Sequence, residues 1–228
     1  MEITKEGFES EPRVVGALLE AYANMGFLRE AKATFEEIPE RDIICWNALI
    51  SGYAQHGLGN KALACFKQMR DGGFAPSVVT FICVLNACGS LGLIEKGEKI
   101  HAEVASKGLL SDNVVLGNAI VGMYVKCGVL EKAQQALEEL PVRDIVSWSV
   151  LIRGYAQQGQ SHEALNCFKQ VQNQGLSPNS VTFVCILKAC GSKGYHGVGE
   201  EIYAEISKQG LLEKDLVLGN ALVDMYAK

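Results

Sequence analysis

Eight cysteines and four histidines are the side chains best suited to metal or catalytic chemistry in this chain. Structural zinc needs clustered ligands such as paired C-x-x-C. No C-x-x-C occurs, and Cys83 and Cys88 form only a C-x4-C inside an apolar helical run. A zinc deaminase needs H-x-E ahead of a C-x-x-C, so that a glutamate can shuttle protons at a metal-bound water. His56, His101, His162 and His196 never meet that pattern. Phosphate-loop, G-x-S-x-G and H-E-x-x-H signatures are missing as well. The residues therefore imply no intrinsic catalysis, no metal and no cofactor. Three cysteine pairs, Cys65/Cys167, Cys83/Cys185 and Cys88/Cys190, are each separated by 102 residues. Copies of one repeat position are displaced in space and cannot generally bridge each other. The cysteines read as small buried thiols of a reducing compartment.

That interval of 102 residues organises the whole chain. Asp42-Ile43-Ile44-Cys45-Trp46-Asn47 leads into Ser51-Gly52-Tyr53-Ala54-Gln55, and Asp144-Ile145-Val146-Ser147-Trp148-Ser149 leads into Arg153-Gly154-Tyr155-Ala156-Gln157. The interval divides into units of 31, 35 and 36 residues: 12–42, 43–77, 78–113, then 114–144, 145–179, 180–215, and a partial unit 216–228 after an N-terminal extension 1–11. Each unit reads as two short helices joined at glycine. In the unit from Ile43, Trp46, Leu49, Ile50 and Tyr53 make one apolar face. Gly57 and Gly59 are expected to break that helix. Ala62, Leu63, Phe66 and Met69 form a second stripe, which Gly72, Gly73 and Pro76 end. The same pattern runs through Val181–Cys190 and the helix after Gly194-Tyr195. In the 31-residue units the second helix is expected to stop before Pro39 and Pro141, because proline cannot continue a helix, and the next unit follows at once after Asp42 and Asp144. One hairpin cannot bury its apolar face alone, but a stack can, so the fold expected is an all-α solenoid with the recurring Trp, Tyr and Phe packed between helices.

The composition fits. With 228 residues and 48% hydrophobic content the chain can bury a core, and its net charge of −5 gives no global attraction to a polyanion. No apolar run reaches the roughly 18 residues of a membrane span. The first residues, Met1-Glu2-Ile3-Thr4-Lys5-Glu6, read as neither a signal nor a transit peptide.

Two-helix units of this size suggest tetratricopeptide or pentatricopeptide proteins. The tetratricopeptide pattern has a fixed period of about 34 residues, which the alternation here does not follow. The phrases Trp46-Asn47-Ala48-Leu49-Ile50-Ser51-Gly52-Tyr53, Val79-Thr80-Phe81 with Val84-Leu85-Asn86-Ala87-Cys88, and Gly117-Asn118-Ala119-Ile120 with Met123-Tyr124-Val125-Lys126-Cys127-Gly128 closely resemble the plant pentatricopeptide repeat family. The resemblance is to its PLS subfamily, which alternates standard, long and short repeats. By that likeness 12–42 and 114–144 are short, 43–77 and 145–179 standard, 78–113 and 180–215 long, and 216–228 the start of a short unit. The implied fold is a right-handed superhelix of helix-turn-helix repeats. The implied function is sequence-specific binding of single-stranded RNA, about one base per repeat. The implied setting is organellar RNA processing in mitochondria or plastids, most of all as the recognition part of a factor that marks cytidines for conversion to uridine. Editing-complex proteins or a deaminase acting in trans are then partners. No membrane and no small-molecule substrate is implied.

In the family, the fifth and last residues of a repeat meet the base edge, and the second residue packs on base faces. Carried over, Asn47 with Ser77 is expected to favour C, Asn118 with Asp144 to favour U, and Ser149 with Asn179 to favour A. Ile82 with Asn113 and Val184 with Asp215 have an apolar fifth residue and should discriminate little. Asn220 stands alone in the last unit, and Gly16 leaves Asp42 without an amide partner. The expected target, 5′ to 3′, is any base, C, any, U, A, any, and U. The stacking residues are Ile44, Val79, Val115, Val146, Val181 and Val217, with Arg13 as the exception. The chemistry agrees: an amide carries both a donor and an acceptor for a pyrimidine edge, a following Asp can fix which end points outward, and a shorter Ser leaves room for a purine.

Charge gives a second indication. The first helices carry Arg13, Lys126, Arg153, Lys188, Lys193 and Lys228 against Glu20 and Asp224, a net +4 in an acidic chain. RNA phosphates need only such a local stripe. Lys126 and Lys228, 102 apart, are the phosphate candidates. The competing reading is a tetratricopeptide-type scaffold that binds protein.

Overall fold

A computed structural model of the protein describes residues 12–193, 196–212 and 215–227. Lys228, Gly194 and Tyr195 lie outside the described residues, as do the side chains of Arg13 and Lys193. Among the described residues there are thirteen α-helices and no strand. The first helices of the units are α1 (Pro12–Met25), α3 (Ile43–Gln55), α5 (Val78–Leu91), α7 (Val114–Lys126), α9 (Ile145–Gln157), α11 (Ser180–Lys193) and α13 (Leu216–Tyr226). The second helices are α2 (Leu28–Glu37), α4 (Gly59–Asp71), α6 (Ile94–Ser106), α8 (Leu130–Glu139), α10 (Ser161–Asn173) and α12 (His196–Lys208). None of these helices is long and apolar enough to cross a membrane.

The chain forms two compact units, Met1–Leu109 and Leu110–Lys228. Within each, a first helix packs on the first helix before and after it, while each second helix packs on its own partner and on the next first helix. This is the helical-repeat solenoid arrangement, in which every hairpin covers the apolar face of its neighbour. The periodic residues fill that seam. Trp148, Leu151, Ile152 and Tyr155 are buried on α9, as are Trp46, Leu49, Ile50 and Tyr53 on α3.

Local chemistry fixes where helices stop. α2 and α8 have ten residues where the other second helices have thirteen, which accounts for most of the difference in unit length. Past each short helix an arginine folds back over its end. Arg41 donates from Nε to Phe35 O (3.1 Å) and from Nη2 to Glu36 O (3.1 Å). Arg143 donates likewise to Leu137 O (3.0 Å) and Glu138 O (2.7 Å). Carbonyls that the helix leaves open thereby gain charged donors. Gly57 turns the chain with a positive φ of 74°. Gly59 does not break a helix as expected. It opens α4, where a Cβ would stand 3.0 Å from Leu91 Cδ1, so its role is close approach.

All eight cysteines are reduced thiols, seven of them buried. Burial pushes Cys65 and Cys190 up to about 11 and Cys167 up to about 12. Among the described residues no group of three His, Cys, Asp or Glu side chains is arranged to hold a metal ion.

Candidate nucleic-acid interface

Six of the first helices, α3, α5, α7, α9, α11 and α13, start with an exposed apolar residue at the second position. Ile44, Val79, Val115, Val146, Val181 and Val217 are between 47% and 66% exposed. An isolated apolar side chain at a surface is ordinary, but six at equivalent positions form a repeated apolar contact set.

In three units the fifth and last residues come together. Ser77 is the N-cap of α5. Asn47 Nδ2 donates to Ser77 Oγ (3.0 Å), and Thr80 donates its hydroxyl to Asn47 Oδ1. With the Thr80 proton used there, the contact between the two hydroxyls (3.0 Å) runs from Ser77 to Thr80. Backbone N–H groups complete the cap: Thr80 N to Ser77 Oγ (3.2 Å) and Ser77 N to Thr80 Oγ1 (3.0 Å). The three side chains make a closed ring, and the ring fixes the Asn47 amide orientation.

Asp144 caps α9 in the same place. Asn118 Nδ2 donates to both carboxylate oxygens (3.2 and 3.4 Å). Ser147, the counterpart of Thr80, gives its backbone N–H to Asp144 Oδ1 (2.8 Å), and its hydroxyl lies within reach of Asp144 Oδ1 (3.1 Å) and Asp144 O (2.8 Å). Asn118 Oδ1 is buried without a hydrogen-bond partner. A carboxylate can only accept, so the amide nitrogen must face it and the oxygen must turn away.

Ser149 and Asn179 meet only through a third residue. Ser149 is 5% exposed, and its hydroxyl also lies within reach of Ile145 O (2.6 Å). Its Oγ stands 2.6 Å from Thr182 Oγ1, which donates to Asn179 Oδ1 (3.0 Å). Asn179 Oδ1 also accepts from Thr182 N (3.0 Å). The pair is therefore a bridged one. Thr80, Ser147 and Thr182 were not singled out beforehand. The available signal was a hydroxyl residue three positions after a Ser, Asp or Asn, the spacing of a capping box.

The remaining positions differ. Asp42 caps α3 by accepting from Cys45 N (2.9 Å), and that bond holds its carboxyl below the usual range. Nothing lies within 4 Å of a Cβ built on Gly16. Ile82 and Val184 are half-buried, Asn113 is the N-cap of α7, and Asn220 is exposed. Asp215 caps α13, and the Ser180 hydroxyl, followed by the Leu218 N–H, holds its carboxyl below the usual range. Lys126 is exposed in the last turn of α7, where a cation also favours the helix dipole. A pocket of about 410 Å³ opens between α9, α11 and the start of α13. Val181, Val217, Val184 and Asp215 line it together with two exposed cations, Arg153 and Lys188. It thus brings together two second-position residues, a fifth–last pair and a basic edge.

Sequence and fold comparisons agree with this architecture. The PPR repeat family model matches residues 41–90 and 143–192, and the PPR repeat model matches 14–43 and 79–109. A pentatricopeptide repeat-containing protein of Arabidopsis thaliana is 37% identical over 199 residues, covering 87% of this chain and 25% of that protein. A second from the same plant, named mitochondrial, is 38% identical over 192 residues (84% and 30%). A third, named chloroplastic, is 31% identical over 226 residues (99% and 36%). The chain spans between a quarter and two fifths of the length of these curated relatives. The crystal structure of the pentatricopeptide repeat protein PPR10 in complex with an 18-nt psaJ RNA element superposes with a TM-score of 0.70 at 20% identity, covering 85% of this chain and 29% of that one. A second crystal structure, of the pentatricopeptide repeat protein PPR10 from maize, gives 0.66 at 24% identity (91% and 31%). The structural likenesses establish the fold. With the repeat models matching well over half of its residues, the chain belongs to the PPR repeat family.

Proposed function

We propose that this chain binds single-stranded RNA and reads about one base per repeat. The observation that carries the reading is the recurrence of one contact with changing residues. At the same place in three units, the cap of the next helix is linked to the fifth residue, as Asn47/Ser77, Asn118/Asp144 and Ser149/Asn179. A scaffold that stays constant while its linked polar pairs vary is what a readout surface requires. PPR10, which shares the fold, is described in complex with an RNA element.

In this reading Asn47/Ser77 takes C, Asn118/Asp144 takes U and Ser149/Asn179 takes A. Exposed aliphatic residues from Ile44 to Val217 separate the bases. Lys126 and Lys228 contact phosphate, and Arg153 and Lys188 serve the same purpose at the pocket between α9 and α11. We assign the chain to the subgroup that alternates standard, long and short repeats, and its setting to mitochondria or plastids, in keeping with the names of its relatives. The role assigned is target recognition for C-to-U editing, with the deaminating chemistry supplied by a further domain or by a partner in trans.

Fluorescence anisotropy tests the reading with an RNA containing NCNUAN and another with the C, U and A permuted. Tighter binding to the first is expected. Equal binding, or none at high protein concentration, would overturn sequence-specific recognition and favour a protein-binding scaffold.

A further inference from the structure

We propose that the third residue of the following unit, acting with the cap residue beside it, sets which end of the fifth-residue amide is offered to the base. Thr80 makes Asn47 a hydrogen-bond donor, whereas Ser147 leaves Asn118 an acceptor. The proposal rests on the base-reading function above and adds a specificity-determining residue to it.

The two amides begin alike: each gives one N–H to the cap residue of the next helix, Ser77 or Asp144. They differ at the oxygen. Asn47 Oδ1 already accepts from Thr80, a residue with no exposure to solvent and with its Oγ1 held by Ser77 N. What Asn47 has left is chiefly its second N–H. Asn118 Oδ1 has no partner, because the Ser147 hydroxyl turns to Asp144 instead. Asp144 draws that hydroxyl because a carboxylate accepts more hydrogen bonds, and stronger ones, than the Ser77 hydroxyl can. Two pyrimidines differ in just this sense on their pairing edge. N3 of cytosine accepts, and N3–H of uracil donates. An amide with a spare N–H and an occupied oxygen suits cytosine. An amide whose oxygen no protein group holds suits uracil: that oxygen is costly to leave buried and unpaired, and turning the side chain to meet N3–H gives it a donor.

Thr182 occupies the third place in the remaining unit. Its hydroxyl also links a fifth residue to a cap, joining Ser149 to Asn179. The three units with linked pairs are thus the three followed by a hydroxyl residue at the third position. The unit ending at Asp42, whose fifth residue is Gly16, is followed by Cys45 there.

The test uses this chain and two RNAs that differ only in C or U opposite the unit 43–77. Unmodified protein is expected to favour C by about fivefold or more, the lower end for one well-made base contact. Thr80→Val keeps the shape but removes the donor, and the C preference should vanish or invert. Thr80→Ser should retain it. In a second pair of RNAs that differ only in C or U opposite the unit 114–144, the U preference should persist in every variant, which reports that the fold is intact. A C preference unchanged in Thr80→Val would overturn the proposal. No preference in the unmodified chain would overturn the base-reading function itself. A second readout needs no RNA: by NMR, the Asn47 side-chain amide protons should exchange with water faster in Thr80→Val than in the unmodified protein. Equal exchange would show that Thr80 does not hold the amide.

Discussion

An asparagine amide has two ends, and whatever holds one end limits what the other can offer. At Asn118 the constraint is Asp144, and the expected partner is U. Replacing Asn118 by Thr removes the amide acceptor and should move the preference at that base from U toward G, by roughly 1–3 kcal/mol in relative affinity. Competition anisotropy with four RNAs, one per base, would read the change. A second residue-scale contrast concerns the core. Trp148 Nε1 donates to Gln174 (3.2 Å), while the equivalent Trp46 Nε1 is buried without an acceptor. The counterpart of Gln174 is Gly72, whose φ of −80° suits any residue. Gly72→Gln should therefore raise stability by about 1 kcal/mol, from the new hydrogen bond. Urea unfolding would measure it. At this scale the residue types at fifth and last positions were legible, because the repeat register fixes them. The linkage was not: that Ser149 is buried and reaches Asn179 only through Thr182 depends on cap geometry, which spacing alone does not specify.

Helices set those residues in place. The fifth residue of one first helix meets the cap of the next, so the starts of two successive first helices order each linked pair. Apolar spacing made these helices readable, since Trp148, Leu151, Ile152 and Tyr155 fall on one face and all are buried. Glycine was read less well. Gly59 was expected to end a helix but begins one, because a helix can use glycine for close approach as readily as for a turn. Gly52 is a stronger case: a Cβ there would stand 2.7 Å from Ala23 Cβ and 3.1 Å from its backbone Cα, between α3 and α1. Gly52→Ala should destabilise by about 1–3 kcal/mol through overpacking, despite the better helix propensity of alanine. Thermal unfolding would detect it. Thiol chemistry offers another check on packing. Burial raises Cys65, Cys167 and Cys190 far above neutrality, so their thiolate forms are scarce at pH 8. Alkylation of the native chain at pH 8 should leave these three unmodified, and unfolding in urea should expose them.

For the molecule as a whole, net charge misleads and local charge informs. A chain of net charge −5 still places Arg153 and Lys188 on one pocket edge beside Val181 and Val217. Sequence reading singled out Lys126 and Lys228 as the phosphate contacts. That Arg153 and Lys188 share a pocket emerges only when α9 and α11 pack side by side. If both touch phosphate, Arg153→Ala with Lys188→Ala should weaken binding to all RNAs alike and flatten the salt dependence by about one unit of slope per residue lost. Affinity measured over a series of salt concentrations would show this. Base choice should stay unchanged, since phosphate contacts position a strand without reading it. The central claim is that paired residues, and not the general surface, choose the base. One exchange tests it most directly. Ser77→Asp keeps a good helix cap and converts the Asn47 unit to the Asn118/Asp144 arrangement. Affinity is then measured for original and altered chains against two RNAs differing only in C or U at that base. A reversal from C to U on substitution is predicted, with the other bases unaffected. The same order of affinity in both chains would contradict the account.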